Sequence, residues 1–171
     1  MKEKIGILYY SLSGHTRKVA EEIQKAVGGD LIPVKTVKTY PADYNELVEK
    51  GQEEVEAGTM PALKDRPDLS AYSFLFAGSP TWWYTMAPAM RTFLTKENLS
   101  GKKMAFFTTH EGWPGKGPSA MAALAVKGEA LVQGEGLAVR FSGSRQVTSM
   151  NDIRSWAYEM QNEKEETGMK G

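Results

Sequence analysis

The sequence predicts a three-layer α/β/α sandwich built on a five-stranded parallel sheet. Short apolar runs and amphipathic helical stretches alternate five times along the chain, the pattern of a parallel sheet covered on both faces. The first run is almost continuously apolar, as a doubly covered strand must be. The loops after the first, third and fourth strands are chemically unusual, and in a sheet of order 2-1-3-4-5 all three lie beyond the carboxyl ends, where such sheets take their ligands.

Residues 4–10 form the first strand. The helix after it, over 17–27, sets Val19, Ile23, Ala26 and Val27 at i, i+4, i+7 and i+8, one apolar stripe. Gly28-Gly29 ends it. The second strand, 30–38, contains Pro33, which a central strand tolerates poorly, so it belongs at a sheet edge. A second helix opens near Asp43, with Tyr44, Leu47, Val48 and Val55 on its apolar side. The third strand is 73–78, and 79–85 is a loop. The third helix, 86–95, has Met86, Met90, Phe93 and Leu94 on one stripe and Pro88 in its first turn. The fourth strand, 103–108, leads through a Gly- and Pro-rich loop to a helix at 119–126. The fifth strand falls within 130–141, and whether Gly134-Glu135-Gly136 interrupts it stays open. Ser149 to Asp152 caps a last helix whose stripe is Ile153, Trp156, Ala157 and Met160. Residues 1–162 thus make one domain, and 163–171 a polar, frayed tail.

Composition narrows the function. The 171 residues are 41% hydrophobic, enough for a proper core, and 21 basic residues balance 21 acidic ones. That balance gives no footprint for nucleic acid and no electrostatic membrane anchor. The absence of cysteine excludes disulfides, thiolate metal sites and thiol catalysis, and fits a reducing cytoplasm. Two histidines without a His-x-x-x-His or Asp-rich cluster make a metal site unexpected. Met1-Lys2-Glu3-Lys4 runs straight into a short apolar strand, so neither signal peptide nor membrane insertion is expected. The oligomeric state stays open.

The chemistry sits in the three loops. Ser11-Leu12-Ser13-Gly14-His15-Thr16 hands a strand over to a helix, so loop amides and the first helical N–H groups converge on one spot. Ser11, Ser13 and Thr16 add hydroxyls. A Walker loop would need a second Gly and a Lys, and a dinucleotide fingerprint three glycines. Hydroxyls in place of glycines suit a single terminal phosphate. The second loop, Ser79-Pro80-Thr81-Trp82-Trp83-Tyr84-Thr85, holds three consecutive aromatics, which cannot all point inward. At least one is expected to stand exposed as a stacking platform. The third loop contributes Thr109, His110, Glu111, Gly112 and Trp113, with glycines that admit a planar polar edge. A phosphate cradle, flat aromatic faces and free amides describe a pocket for a planar heterocycle bearing one phosphate; FMN fits it better than a dinucleotide does. A receiver-type regulator of similar fold would need an acidic pair after the first strand and an Asp after the third. Those places hold Tyr9-Tyr10-Ser11 and Gly78-Ser79.

These motifs resemble those of the flavodoxin family over nearly all of residues 3–160. Residues 11–16 are similar to that family's phosphate loop, and Gly78-Ser79-Pro80-Thr81-Trp82-Trp83 to its second loop in a branch where Gly-Ser-Pro leads into a Trp pair. Thr108-Thr109-His110 and Gly112 resemble the same branch, whereas Glu111 and Trp113 to Gly115 depart from it. The resemblance implies the flavodoxin-like 2-1-3-4-5 fold, non-covalent FMN and redox chemistry. It implies Ser11, Leu12, Ser13, Gly14, His15 and Thr16 at the phosphate. Pro80, Thr81, Trp82, Trp83 and Tyr84 would flank the ring, and Thr109, His110, Glu111, Gly112 and Trp113 would line its pyrimidine edge. Carriers of this family are usually strongly acidic and favour a glycine beside the flavin N5. This chain is neutral and has no glycine between Ser79 and Thr85. Both points favour a reductase of quinones or similar small acceptors over a one-electron shuttle to a redox partner protein. An FMN-binding module without turnover, serving storage, sensing or a larger complex, is the alternative.

Overall fold

A computed structural model describes the backbone of residues 4–170 and the side chains of residues 4–162. The elements run β1 (Ile5–Tyr9), α1 (His15–Val27), β2 (Asp30–Pro33), α2 (Tyr44–Ala57), β3 (Phe74–Trp82), β4 (Thr85–Met86), α3 (Pro88–Lys96), β5 (Lys103–His110), α4 (Gly117–Lys127), β6 (Leu131–Val132), β7 (Leu137–Ser142), β8 (Arg145–Gln146) and α5 (Met150–Lys170). The sheet order is β2-β1-β3-β5-β7-β8, with β4 added to β3 and β6 to β5. Its five main strands are parallel and keep the expected 2-1-3-4-5 order. The strand count exceeds five for two reasons. Short antiparallel hairpins extend β3 and β7 at their carboxyl ends. The fifth strand is also split, which settles the point its sequence leaves open: β6 pairs with the start of β5 and β7 with its end. Pro33 closes β2 opposite Tyr9, on the edge strand where its missing N–H costs least. The polar tail expected at 163–171 falls on residues whose side chains lie outside the described set.

Strand alternation sorts the core into two layers. Ile5, Ile7, Phe74, Phe76 and Phe107 face α1 and α5, where Val19, Ile23, Ile153 and Trp156 meet them. Leu8, Leu75, Ala77, Met104 and Phe106 face the other side, under Met90, Phe93 and Met121. Each fully buried side chain of this size stabilises the fold by about 1.5–3 kcal/mol. The predicted stripes of α3 and α5 are all buried. No helix among the described residues is long and apolar enough to cross a membrane.

Two helices differ from the sequence pattern. The expected apolar side of α2 is not its buried side: Tyr44 is 75% exposed, whereas Gly51 and Glu54 are buried. Gly51 faces Trp82, and a Cβ there would make ordinary van der Waals contact with the indole at 3.4 Å. Glu54 accepts a 2.7 Å hydrogen bond from the Tyr40 hydroxyl. In α1, Glu22 is buried and clamps the helix to α5. Its Oε2 accepts from Nε and Nη2 of Arg154 at 3.1 and 2.8 Å, and Oε1 from Lys25 at 3.2 Å. Burial pushes the carboxyl up, but these donors outweigh it and hold it below the ordinary glutamate value. The clamp therefore acts above the unfolded-state pKa and weakens as pH falls through the lower folded value.

Candidate functional site

The carboxyl ends of β1, β3 and β5 lie side by side, with Tyr9 opposite Gly78 and Pro80 opposite Thr109. Past β1 the chain turns over residues 11–14. The Ser11 hydroxyl accepts from the Gly14 amide at 3.1 Å, and Lys18 N–H donates to the Gly14 carbonyl at 3.0 Å. Gly14 has φ 98° and ψ −8°, the left-handed conformation that favours glycine. It delivers the chain into α1 at His15, two residues earlier than the periodicity indicated. The first amides of that helix have no intrahelical acceptor and carry the positive end of its dipole. Ser11, Leu12 and Gly14 border a cavity of about 420 Å³ together with Arg17 and Lys35, two cations suited to an anion.

Two side chains of this loop point elsewhere. The His15 ring stacks on Phe141 with centroids 4.1 Å apart and planes 3° from parallel. The Thr16 hydroxyl shares a 2.9 Å hydrogen bond with that of Thr109, both buried. That bond ties the start of α1 to β5.

The second loop is more regular than the sequence suggests. β3 runs on through Ser79, Pro80 and Thr81 to Trp82 and turns back into β4. The Ser79 hydroxyl donates to the Pro80 carbonyl at 2.8 Å and accepts from the Ala87 amide at 2.9 Å, so it holds the residue just before α3. Trp83 and Tyr84 form the two-residue tip with φ of 48° and 68°, as in the primed turns of tight hairpins. Those turns normally use Gly or Asn, and side-chain-bearing residues there cost about 1–2 kcal/mol each. Alternation sends Trp82 inward, edge-on to Tyr10 and Tyr40 with centroids at 6.0 and 5.1 Å. Trp83 and Tyr84 are left 41% and 60% exposed. Trp83 Nε1–H donates to the Val48 carbonyl at 3.3 Å, which moors the tip to α2.

The third loop leaves β5 at His110. Its Nδ1 accepts from the Gly112 amide at 3.0 Å, so the neutral ring carries its proton on Nε2. Burial, and secondly the Arg140 guanidinium, lower the His110 pKa below the ordinary histidine value. Glu111 is tethered sideways, its Oε1 accepting from the Gly143 amide at 2.9 Å. Trp113 is 75% exposed.

Thr81, Trp83 and Tyr84 meet His110, Glu111 and Trp113 around a cavity of about 350 Å³. Thr81 Oγ1 is buried with no hydrogen-bond partner among the described residues, a polar atom left for a ligand. Six of the predicted site residues are thus gathered at one cavity, and Ser11, Leu12 and Gly14 at the other. Ser13, Pro80 and Gly112 lie in the same loops but line neither; His15, Thr16, Trp82 and Thr109 are turned to protein partners.

Tyr44 and Arg140 also belong to this neighbourhood; the sequence pattern places Tyr44 only on the apolar side of α2 and leaves Arg140 unmarked. Tyr44 borders the aromatic cavity from the first turn of α2. Its position after a helix cap concealed that role. Arg140 pairs with His110 across the sheet, and alternation between buried Val139 and Phe141 could have placed it outward. Arg140→Gln is expected to raise the His110 pKa toward 6.5, read from the ring protons by NMR titration. A depressed histidine is neutral when folded, so its contribution to stability falls as pH drops through the unfolded-state pKa. The variant should narrow that acid loss. An unchanged titration would separate Arg140 from His110.

A doubly wound sheet with its polar and aromatic loops gathered at a topological switch point defines a ligand-binding α/β protein. The chain belongs to the flavodoxin family, whose profile matches residues 4–131. It is 31% identical over 85 residues to a flavodoxin of Haemophilus influenzae, covering 50% of this chain and 35% of that one. To a flavodoxin of Synechococcus elongatus it is 30% identical over 112 residues, covering 61% and 50%. The chain thus spans half or less of the length of these curated relatives. Among solved structures, a flavoprotein of Lactobacillus acidophilus in complex with FMN is 28% identical with a TM-score of 0.68, covering 80% of this chain and 93% of that one. A protein of Bacteroides eggerthii is 26% identical with a TM-score of 0.74, covering 93% and 98%.

Proposed function

We propose that this chain binds FMN non-covalently and serves as a reductase of quinones or similar small acceptors in a reducing cytoplasm. The observation that carries the reading is the pairing of an anion cradle at α1 with an aromatic cavity one strand away. The donor set fits the cofactor. The first-turn amides of α1, with Ser13 and Gly14, suit a phosphate; Trp83, Tyr84 and Trp113 offer flat faces; Thr81 Oγ1 and the His110 Nε2–H suit the polar edge of a heterocycle. FMN supplies one- or two-electron redox chemistry when bound, and the protein holds and tunes it. The neutral charge and the glycine-free tip at Trp83 and Tyr84 favour the two-electron use over a one-electron carrier that serves a redox partner protein.

The test begins with fluorescence titration of FMN into the purified protein. Uptake of one flavin per chain is expected, and failure to take up any would remove the reading. Thr81→Val keeps the shape and removes the orphan hydroxyl. It should weaken binding about two- to thirteenfold, the worth of about 0.5–1.5 kcal/mol for one hydrogen bond. Anaerobic reduction should then pass directly to the two-electron form, and reduced nicotinamide should be oxidised in the presence of a quinone. Tight binding with no turnover of any donor would instead favour the module without catalysis.

A further inference from the structure

We infer that Gly115 and the backbone of Lys116 form a latch that fixes the Trp83–Tyr84 tip, making Gly115 a positioning residue for the aromatic wall of the cavity; its bearing on the cofactor rests on the flavin reading above. The tip needs such a device. Two successive aromatic residues hold left-handed backbone conformations, and β4 supplies only the pairs Thr81–Met86 and Trp82–Thr85 to support them. Strain of this kind persists only where the surroundings over-determine it.

The surroundings do so from the β5–α4 loop. Lys116 N–H donates to the Tyr84 carbonyl at 2.6 Å. Gly115, at φ 59°, lies flat against the same peptide. A Cβ there would sit 2.2 Å from the Tyr84 oxygen, 2.5 Å from its Cα and 2.6 Å from its carbonyl carbon. All three are backbone atoms, so no side chain can swing aside. The near end of the latch is firm. The Lys116 carbonyl accepts from Ala120 N–H at 2.8 Å and from the Ser119 hydroxyl at 3.1 Å, which anchors it to the first turn of α4. The far side of the tip is held by the Trp83 indole on Val48.

Trp113 stands two residues before Gly115 on the same loop, and Trp83, Tyr84 and Trp113 border one cavity. One backbone contact therefore sets the spacing of aromatic faces supplied by two separate loops. A side chain at position 115 must push the loops apart and change that spacing, while the hydrophobic layers beneath are untouched.

Amide hydrogen exchange on the wild-type protein without flavin is the first test. The Lys116 amide should exchange at least tenfold more slowly than the amides at Glu111 and Trp113, which find no backbone acceptor among the described residues; exchange at open-loop rates would overturn the latch whether or not any variant folds. Gly115→Ala should then speed Lys116 exchange at least tenfold, shift the Trp83 indole N–H resonance and weaken FMN binding at least tenfold. An unchanged indole resonance and unchanged Lys116 protection in that variant would likewise overturn it. If the wild type takes up no FMN while Gly115→Ala still frees the Lys116 amide and moves the indole signal, the latch stands and the flavin reading falls. If flavin binds equally well to both proteins despite those two changes, Gly115 is not a positioning residue for the site.

Discussion

Gly14→Val should lower FMN affinity at least 100-fold while the domain stays folded. The reason is conformational. Gly14 holds φ 98° at the handover from β1 to α1, and apart from its chain neighbours no atom of the described residues lies within 4 Å of where a Cβ would project. The substitution therefore strikes no core side chain. It places a β-branched residue in a left-handed conformation, at a cost of about 1–2 kcal/mol or more. The chain can relieve that strain only by rotating the peptide, which disturbs the Gly14 N–H to Ser11 bond and the Lys18 N–H to Gly14 carbonyl bond. Both bonds orient the amides that would face the phosphate, and the new side chain occupies open space beside them. A 100-fold loss equals about 2.7 kcal/mol, well beyond one neutral hydrogen bond. The melting temperature should drop by only about 2–8 °C, because a domain of this size loses about 2–4 °C per kcal/mol. Calorimetric titration with FMN and a thermal melt decide it together. Stoichiometric flavin retained by a folded Gly14→Val protein would take the cradle out of the site.

Period explains what the sequence discloses of this fold and what it conceals. The stripe of α5, Ile153, Trp156, Ala157 and Met160, is buried as written because a helix stripe facing a sheet must be apolar. The same logic misreads α2, whose buried positions are Gly51 and Glu54. Its apolar contact there is a single indole facing Gly51, and its carboxylate accepts a hydrogen bond from Tyr40. The partner of Glu22 is Arg154, 132 positions away, so Glu21-Glu22 reads as a solvated face until the chain is folded. The Trp83–Tyr84 turn is hidden for a related reason. Turn chemistry looks for Gly or Asn, whereas here the left-handed conformation is imposed from outside by residues 115 and 116. The loop motifs, by contrast, are local, and the 11–16 handover is legible because a helix start exposes its amides whatever the rest of the chain does.

Gly78→Ala should destabilise the domain by about 3 kcal/mol, the upper end of the range for overpacking, and lower its melting temperature by about 6–12 °C. Gly78 pairs with Phe107 across β3 and β5, and an added methyl would lie 2.1, 2.2 and 2.7 Å from three atoms of that ring. Phe107 cannot yield. It is fully buried and meets Trp156 edge-on with centroids 6.4 Å apart, in the layer that also holds Phe76 and Val139. The strain is thus between one methyl and one ring, which makes it separable by a double-mutant cycle. Phe107→Leu alone leaves a void and destabilises the protein. In the Gly78→Ala background it should recover at least 1 kcal/mol of the loss, measured by urea unfolding. Strict additivity would mean that the ring and the methyl do not compete, and that β3 itself shifts. That alternative has a functional signature. Ser79, next along the strand, carries the hydroxyl that holds the Ala87 amide, and Thr81 lies two residues further, at the cavity. A shift of β3 would weaken FMN binding in proportion, whereas a clash confined to Phe107 would cost stability and leave the folded protein's affinity unchanged. In Gly78-Ser79-Pro80, the glycine thus makes room for a ring of the core, and the serine fixes the hairpin that carries Trp83 and Tyr84.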